Sequence, residues 1–115
     1  MTALKAPRRA RALVLSLAAQ RIRNALKQRS RYKYVQPRVE PEGRGWKVVS
    51  PNCSRNIDPQ GGEIEIAWLL PDTAGDQWLL HARDHAGQAW CLRQQGSLPA
   101  LLERLCADPG REYWQ

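Results

Sequence analysis

Five side chains in this sequence are soft or borderline metal ligands or potential nucleophiles: Cys53, Cys91, Cys106, His81 and His85. With Asp58 and Asp84 nearby in the chain, Cys53 and either histidine would supply the thiol, base and orienting carboxylate of a nucleophilic centre. The spacing does not bring these groups together. No Cys-x-x-Cys pair and no His-Glu-x-x-His helix is present, so local geometry assembles neither a zinc site nor an iron site, and no metal or cofactor is expected. Cys91 on a strand and Cys106 on a helix read as small buried hydrophobes. There is no Gly-x-Ser-x-Gly elbow and no phosphate-cradling glycine loop; Gly61 and Gly62 read as the turn before a strand. The chain is therefore expected not to be an enzyme.

The second set of chemically active residues is cationic. Residues 1–39 hold eleven Lys or Arg and no acid, whereas residues 40–115 hold seven bases and eleven acids. A basic arm thus precedes a mildly acidic body, which implies long-range attraction to an anionic partner. Two further arginines sit in polar loops. In NCSRNIDPQGG, Asn52, Ser54 and Asn56 favour side-chain turns and Asp58-Pro59 a chain reversal, which leaves Arg55 as a planar donor fork on a held loop. In Arg83-Asp84-His85 the same chemistry recurs beside an imidazole. If both loops project from one end of a sheet, they form a polar contact surface.

The elements that must position these residues follow from periodicity. Leu13, Leu17, Ile22, Ala25 and Leu26 recur at helical intervals among the arginines, which predicts an amphipathic helix from Arg8 to Ser30 with Pro7 at its start. YKYVQPRVE is placed at a sheet edge or in a connection because Pro37 lacks a ladder donor. Strands are predicted at 45–50, 63–70, 77–83 and 88–94. In EIEIAWLL, Ile64, Ile66, Trp68 and Leu70 fall on one face and Glu63 and Glu65 on the other. Gly87 is expected to supply the positive φ that closes the last hairpin. Ser97 caps a final helix whose Leu98, Leu101, Leu102 and Leu105 form one stripe, ending before Asp108-Pro109-Gly110.

The expected fold is α+β: an N-terminal amphipathic helix, a four-stranded antiparallel sheet and a C-terminal helix, with both helices on one face. Residues 1–40 form the basic helical arm and connection and 41–115 the compact body of what is one domain overall. Five Trp and three Tyr with no Phe make the large anchors amphipathic rings, some of them expected at the rim. The apolar run ALVLSLAA is too short for a membrane span and reads poorly as a signal peptide, and three scattered cysteines fit reduced thiols. A cytoplasmic location is expected.

The stretch from IAWLLPDTAGDQWLLHARDHAGQAW to the closing EYWQ resembles the second half of a family of small bacterial proteins of unassigned function. Those proteins run through a strand, a Trp-rich hairpin, an amphipathic helix, an acidic turn and an aromatic end. NCSRNIDPQGG and ARDH, with the basic N-terminus, also resemble the nitrogenase-associated factors of nitrogen-fixing bacteria, factor T above all. That second resemblance implies a non-catalytic accessory protein that binds the acidic molybdenum-iron protein of nitrogenase during assembly, stabilisation or protection.

The expectation is then a protein-interaction module. Arg21, Arg23, Lys27, Arg29, Arg31, Lys33, Arg55, Arg83, His85 and Trp114 are its candidate contacts with an acidic protein complex, because Arg and Trp dominate interface energetics. The alternative is a nucleic-acid binder in which the arm's cations take phosphates and Tyr32 and Tyr34 stack on bases. No helix-turn-helix, RNA-recognition or zinc-finger signature accompanies it.

Overall fold

In the computed structural model, which describes residues 8–28, 36–51, 62–73 and 77–114, two helices and five strands follow one another as α1 (Arg8–Leu26), β1 (Arg38–Glu42), β2 (Gly45–Pro51), β3 (Glu63–Pro71), β4 (Trp78–Asp84), β5 (Ala89–Gly96) and α2 (Leu98–Ala107). The strands form one antiparallel sheet in sequence order. The architecture is α+β, with five strands where four were expected. The additional one is β1, and a proline falls inside it: Pro41 pairs with Trp46 on an edge strand, where a missing N–H costs no ladder bond. The boundary drawn at residues 40–41 consequently cuts through a strand.

Short connections fix the register. Gly43, at φ 60°, turns β1 into β2, a conformation that L side chains resist. Gly45 is required for space instead, since a Cβ there would lie 2.1 Å from the Leu69 carbonyl oxygen. The last hairpin differs from expectation. Its positive φ belongs to Gln88 (51°), while a Cβ at position 87 would stand 2.6 Å from Asp84 Oδ2 and displace that carboxylate. Asp84 Oδ1 accepts the Gly87 N–H at 3.1 Å, so the aspartate closes the turn and the glycine lets it approach.

Both helices pack on the same sheet face. Ala18, Ala19, Ile22 and Leu26 of α1 share one apolar cluster with Leu98, Leu101, Leu102 and Leu105 of α2 and with Val39, Val48, Ile66, Leu69 and Leu80 of the sheet. A helix of this length and charge would be marginal alone. Burying Ile22 and Leu26 supplies about 3–6 kcal/mol, enough to seat it. Leu17, expected in the stripe, is 52% exposed; residues 18, 19, 22 and 26 define the buried arc, and position 17 lies well off it.

The end of α2 is built with more care than its start. Ser97 Oγ accepts the Ala100 N–H at 3.3 Å, and Pro99 occupies the first turn. At the other end Asp108 takes a left-handed conformation and donates its N–H to Arg104 O. Its carboxylate accepts three backbone N–H groups, from Glu112 (2.7 Å), Tyr113 (3.2 Å) and Trp114 (2.8 Å). Trp114 then donates Nε1–H to Leu105 O at 2.9 Å. The closing aromatic residues therefore return to the core.

Candidate functional site: a basic helix and an aromatic sheet face

One extra residue decides what the uncovered face of the sheet displays. Val48 pairs with Ala67 and Val49 with Glu65, so Ile66 is a bulge in β3. Before it, Ile64 faces the helices; after it, Ala67 and Leu69 do. Trp68 and Leu70 are thereby turned to the open face, contrary to the uninterrupted alternation. A second bulge, at Arg93, arises where Leu80 pairs with Gln94 but His81 with Leu92.

The open face is aromatic at its centre. The Trp68 ring lies 4.8 Å from the His81 ring and 5.9 Å from that of Trp90, both tilted, and Arg83 Cζ sits 5.0 Å from the Trp90 ring centroid. Trp68 Nε1–H donates to Glu42 O at 3.0 Å. His81 Nδ1 is 3.1 Å from Trp68 O, and because a carbonyl only accepts, Nδ1 carries the proton. Leu92, paired with His81, is 55% exposed. The Trp68 and His81 rings are held in place by backbone partners rather than by packing alone.

Around them runs a ladder of ion pairs. Lys47 Nζ reaches Glu42 at 3.2 Å and Glu65 at 3.3 Å, and Arg83 reaches Glu65 at 3.4 Å. Arg38 bridges Glu40 (2.7 Å) and Glu63. Hydrogen bonding to Arg38 holds the Glu40 carboxyl below its usual range, and hydrogen bonding to Glu42 raises the Lys47 ammonium. In these pairs three cations meet four glutamates, a net of −1. This surface is nearly self-neutralised.

α1 is different. Arg21, Arg23 and Lys27 are exposed, and among the described residues none of them forms an ion pair. Gln20 donates to Asn24 at 3.1 Å along the crest between them. Arg21 borders the cleft between the helices, while Arg23 and Lys27, one turn apart, share the opposite flank.

The remaining expected contacts are dispersed. Arg29, Arg31, Lys33 and Arg55 lie outside the described residues, as does Cys53 with the loop meant to bring Arg55 beside the last hairpin. Arg83 is half-buried and committed to Glu65 and Trp90. His85, in the adjoining turn, has its Nε2 sheltered without a partner; burial and then Arg83 push the imidazole below its ordinary value. Trp114, expected at an interface, is 1% exposed and belongs to the core, because its indole N–H finds a partner in the last turn of α2. Of the thiols, Cys91 faces the helices and Cys106 donates Sγ–H to Ala25 O at 3.3 Å. Among the described residues no three His, Cys, Asp or Glu side chains gather as metal ligands would, and no helix is long and apolar enough to cross a membrane.

Trp90 and Leu92 were not singled out by sequence reasoning, which placed Trp68 with the apolar face of its strand and weighed His81 only as a metal ligand or catalytic base. The usable signal was the run His81-Ala82-Arg83, whose alternation marks a polar face that the partner strand had to share.

Fold and surfaces define a two-layer α+β protein: an antiparallel meander with two helices on one side and an aromatic, ion-paired surface on the other. No curated protein and no solved structure matches the chain. Its family is nonetheless clear, for the chain belongs to the one described as Domain of unknown function (DUF3024), whose model matches residues 11–115. The resemblance to proteins of unassigned function thus extends through the first helix.

Proposed function

We propose that the protein is a non-catalytic binding module that docks an acidic protein through the solvent flank of α1. The observation that carries this reading is the segregation of uncompensated charge. The described cations of the sheet's open face are paired with glutamates, whereas Arg21, Arg23 and Lys27 stand exposed on a helix whose apolar stripe is already engaged. Arginines free of intramolecular partners suit bidentate contact with carboxylates.

A protein partner is favoured over nucleic acid by where the rings lie. A single-strand binder combines a cationic groove with stacking rings on the same surface. Here Trp68 and Trp90 occupy the sheet face opposite α1, among glutamates that would repel phosphates. Tyr32 and Tyr34, the other stacking candidates, lie outside the described residues. The nitrogenase molybdenum-iron protein, with a role in assembly, stabilisation or protection, is the candidate partner that the sequence resemblance supplies; neither the fold nor the family adds to it.

The test is a tagged pull-down from native-source extract with and without nuclease, repeated with Arg23→Gln/Lys27→Gln, which leaves Arg21 in place. Two exposed ion pairs at about 0.2–1 kcal/mol each predict a 2- to 30-fold weaker affinity for a nuclease-resistant acidic protein, with unchanged melting temperature. Equal affinity of the variant would remove α1 from the mechanism. Loss of all bound material with nuclease would replace the protein partner by nucleic acid.

A further inference from the structure

The cleft between the helices has a character of its own. Ala25 of α1 and Leu98, Leu102 and Cys106 of α2 line a groove of about 490 Å³, within the range of ligand-sized clefts. Arg21 stands on the α1 wall and Glu103 on the α2 wall, and among the described residues these two form no ion pair. Leu17 is one turn before Arg21 on the same flank and is 52% exposed, one of two large hydrophobic side chains so exposed among the described residues. The groove and Leu17 together form an apolar strip with a cation along one wall and an anion along the other.

We propose that this strip is the contact surface for a second copy of the same chain, related by a two-fold axis. The argument is self-complementarity. An isologous contact brings each surface patch against itself, and with the two-fold axis running along the groove a residue on one wall meets the opposite wall of its mate. A patch with two walls of the same sign would repel its copy, whereas this one sets Arg21 against the mate's glutamate and Glu103 against the mate's arginine. Leu17 of each chain then lies on the side of the other's α2 wall, which removes exposed hydrophobic surface from water. Arg23 and Lys27 lie on the opposite flank of α1 and remain free, so of the three cations assigned to the acidic partner the dimer takes only Arg21.

Charge exchange tests it on the full-length protein. Sedimentation velocity from about 1 to 200 µM, with circular dichroism as a check of fold, is run on the wild type, Arg21→Glu, Glu103→Arg and the double variant. The expected result is a reversible dimer in the wild type. Each single exchange should raise the dissociation constant at least about tenfold, because two attractions become two repulsions. The double exchange should restore the wild-type constant, and Leu17→Ser should weaken the dimer without altering the fold. A monomer at every concentration overturns the proposal, as does a dimer unaffected by the single exchanges, or one that the double exchange fails to restore. A monomeric protein in which 1-anilinonaphthalene-8-sulfonate binds and protects Cys106 from alkylation, in a Cys53→Ser/Cys91→Ser background, would assign the groove to a small amphiphile instead.

Discussion

Replacing Asp108 should be among the most damaging single changes available in the described part of the chain. The residue is 1% exposed, and its two carboxylate oxygens accept the backbone N–H groups of Glu112, Tyr113 and Trp114. In Asp108→Ala those donors lose their acceptor while at least two remain buried, at about 1–3 kcal/mol each. Alanine in a left-handed conformation (φ 38°) adds about 1 kcal/mol. Partial relaxation of the tail leaves an expected loss of about 3–6 kcal/mol, a large part of the 5–15 kcal/mol typical of a small domain. Asp108→Asn keeps one acceptor oxygen and tolerates the backbone, so about 1–3 kcal/mol is expected. Asp108→Gly loses all three bonds but not the backbone term, and should lie about 1 kcal/mol above alanine. Urea denaturation followed by tryptophan fluorescence and far-ultraviolet circular dichroism gives the order wild type, Asn, Gly, Ala. If Asn and Ala both fall within about 0.5 kcal/mol of wild type, the carboxylate does not hold the tail. If Gly alone recovers full stability, only the backbone conformation mattered.

Tyr113 is 2% exposed with its hydroxyl unpartnered, and burial, then Glu112 and Asp108, push it up to about 12. A raised folded-state value means that stability is complete below the ordinary tyrosine range near 10 and is lost between about pH 10 and 12, by roughly 2–3 kcal/mol. Tyr113→Phe should therefore be neutral to about 1 kcal/mol more stable at pH 7 and should lack that share of the alkaline loss; parallel denaturation at pH 8 and pH 11 measures it, and equal pH dependence in both proteins would refute the reasoning. Gly45→Ala should cost about 3 kcal/mol or lower the soluble yield, because the Leu69 carbonyl stands where the Cβ must go. A loss below about 1 kcal/mol would show that β2 and β3 part without penalty.

The elements were largely legible in the sequence, and their faces less so. The strands expected at 63–70 and 88–94 differ from the observed Glu63–Pro71 and Ala89–Gly96 by one or two residues, and the Ser97 cap and its leucine stripe stand as read. Alternation and capping are local, and local signals survive in a sequence. The bulges at Ile66 and Arg93 are not local: they depend on how one strand's register meets the next, and each reverses the parity of everything beyond it. That is why Trp68 was placed on the same face as Ile64 and Ile66. Trp114 was misread in the other direction, since an indole in a terminal tail looks like a surface anchor until a carbonyl such as that of Leu105 is seen to satisfy it. β1 was left open between a sheet edge and a connection because of Pro37, which stands just before the first residue of the strand. For the candidate site, the basic flank of α1 followed from charge counting, but which cations were already spent in ion pairs did not.

The layering of the molecule explains why α1 keeps its charge available to a partner. The total of +7 would suggest a surface attractive to anions from every side. The glutamates paired with Arg38, Lys47 and Arg83 lie on the open face of the sheet, and α1 lies beyond the opposite face. A helix is about 10–12 Å across and packed layers stand roughly 10 Å apart. The outer flank of α1 is therefore farther from those carboxylates than the screening length of about 8 Å at physiological ionic strength. Those four acids also share three cations, a net of −1, so little field remains to be screened. Glu103 is an acid of the same helix layer, and it borders the groove on the Arg21 side rather than the flank of Arg23 and Lys27. An anionic protein approaching from the helix side would meet uncompensated cations; from the sheet side it would meet a nearly neutral aromatic surface. For the proposed acidic partner the consequence is a single preferred orientation of docking, set by which charges the fold has already used.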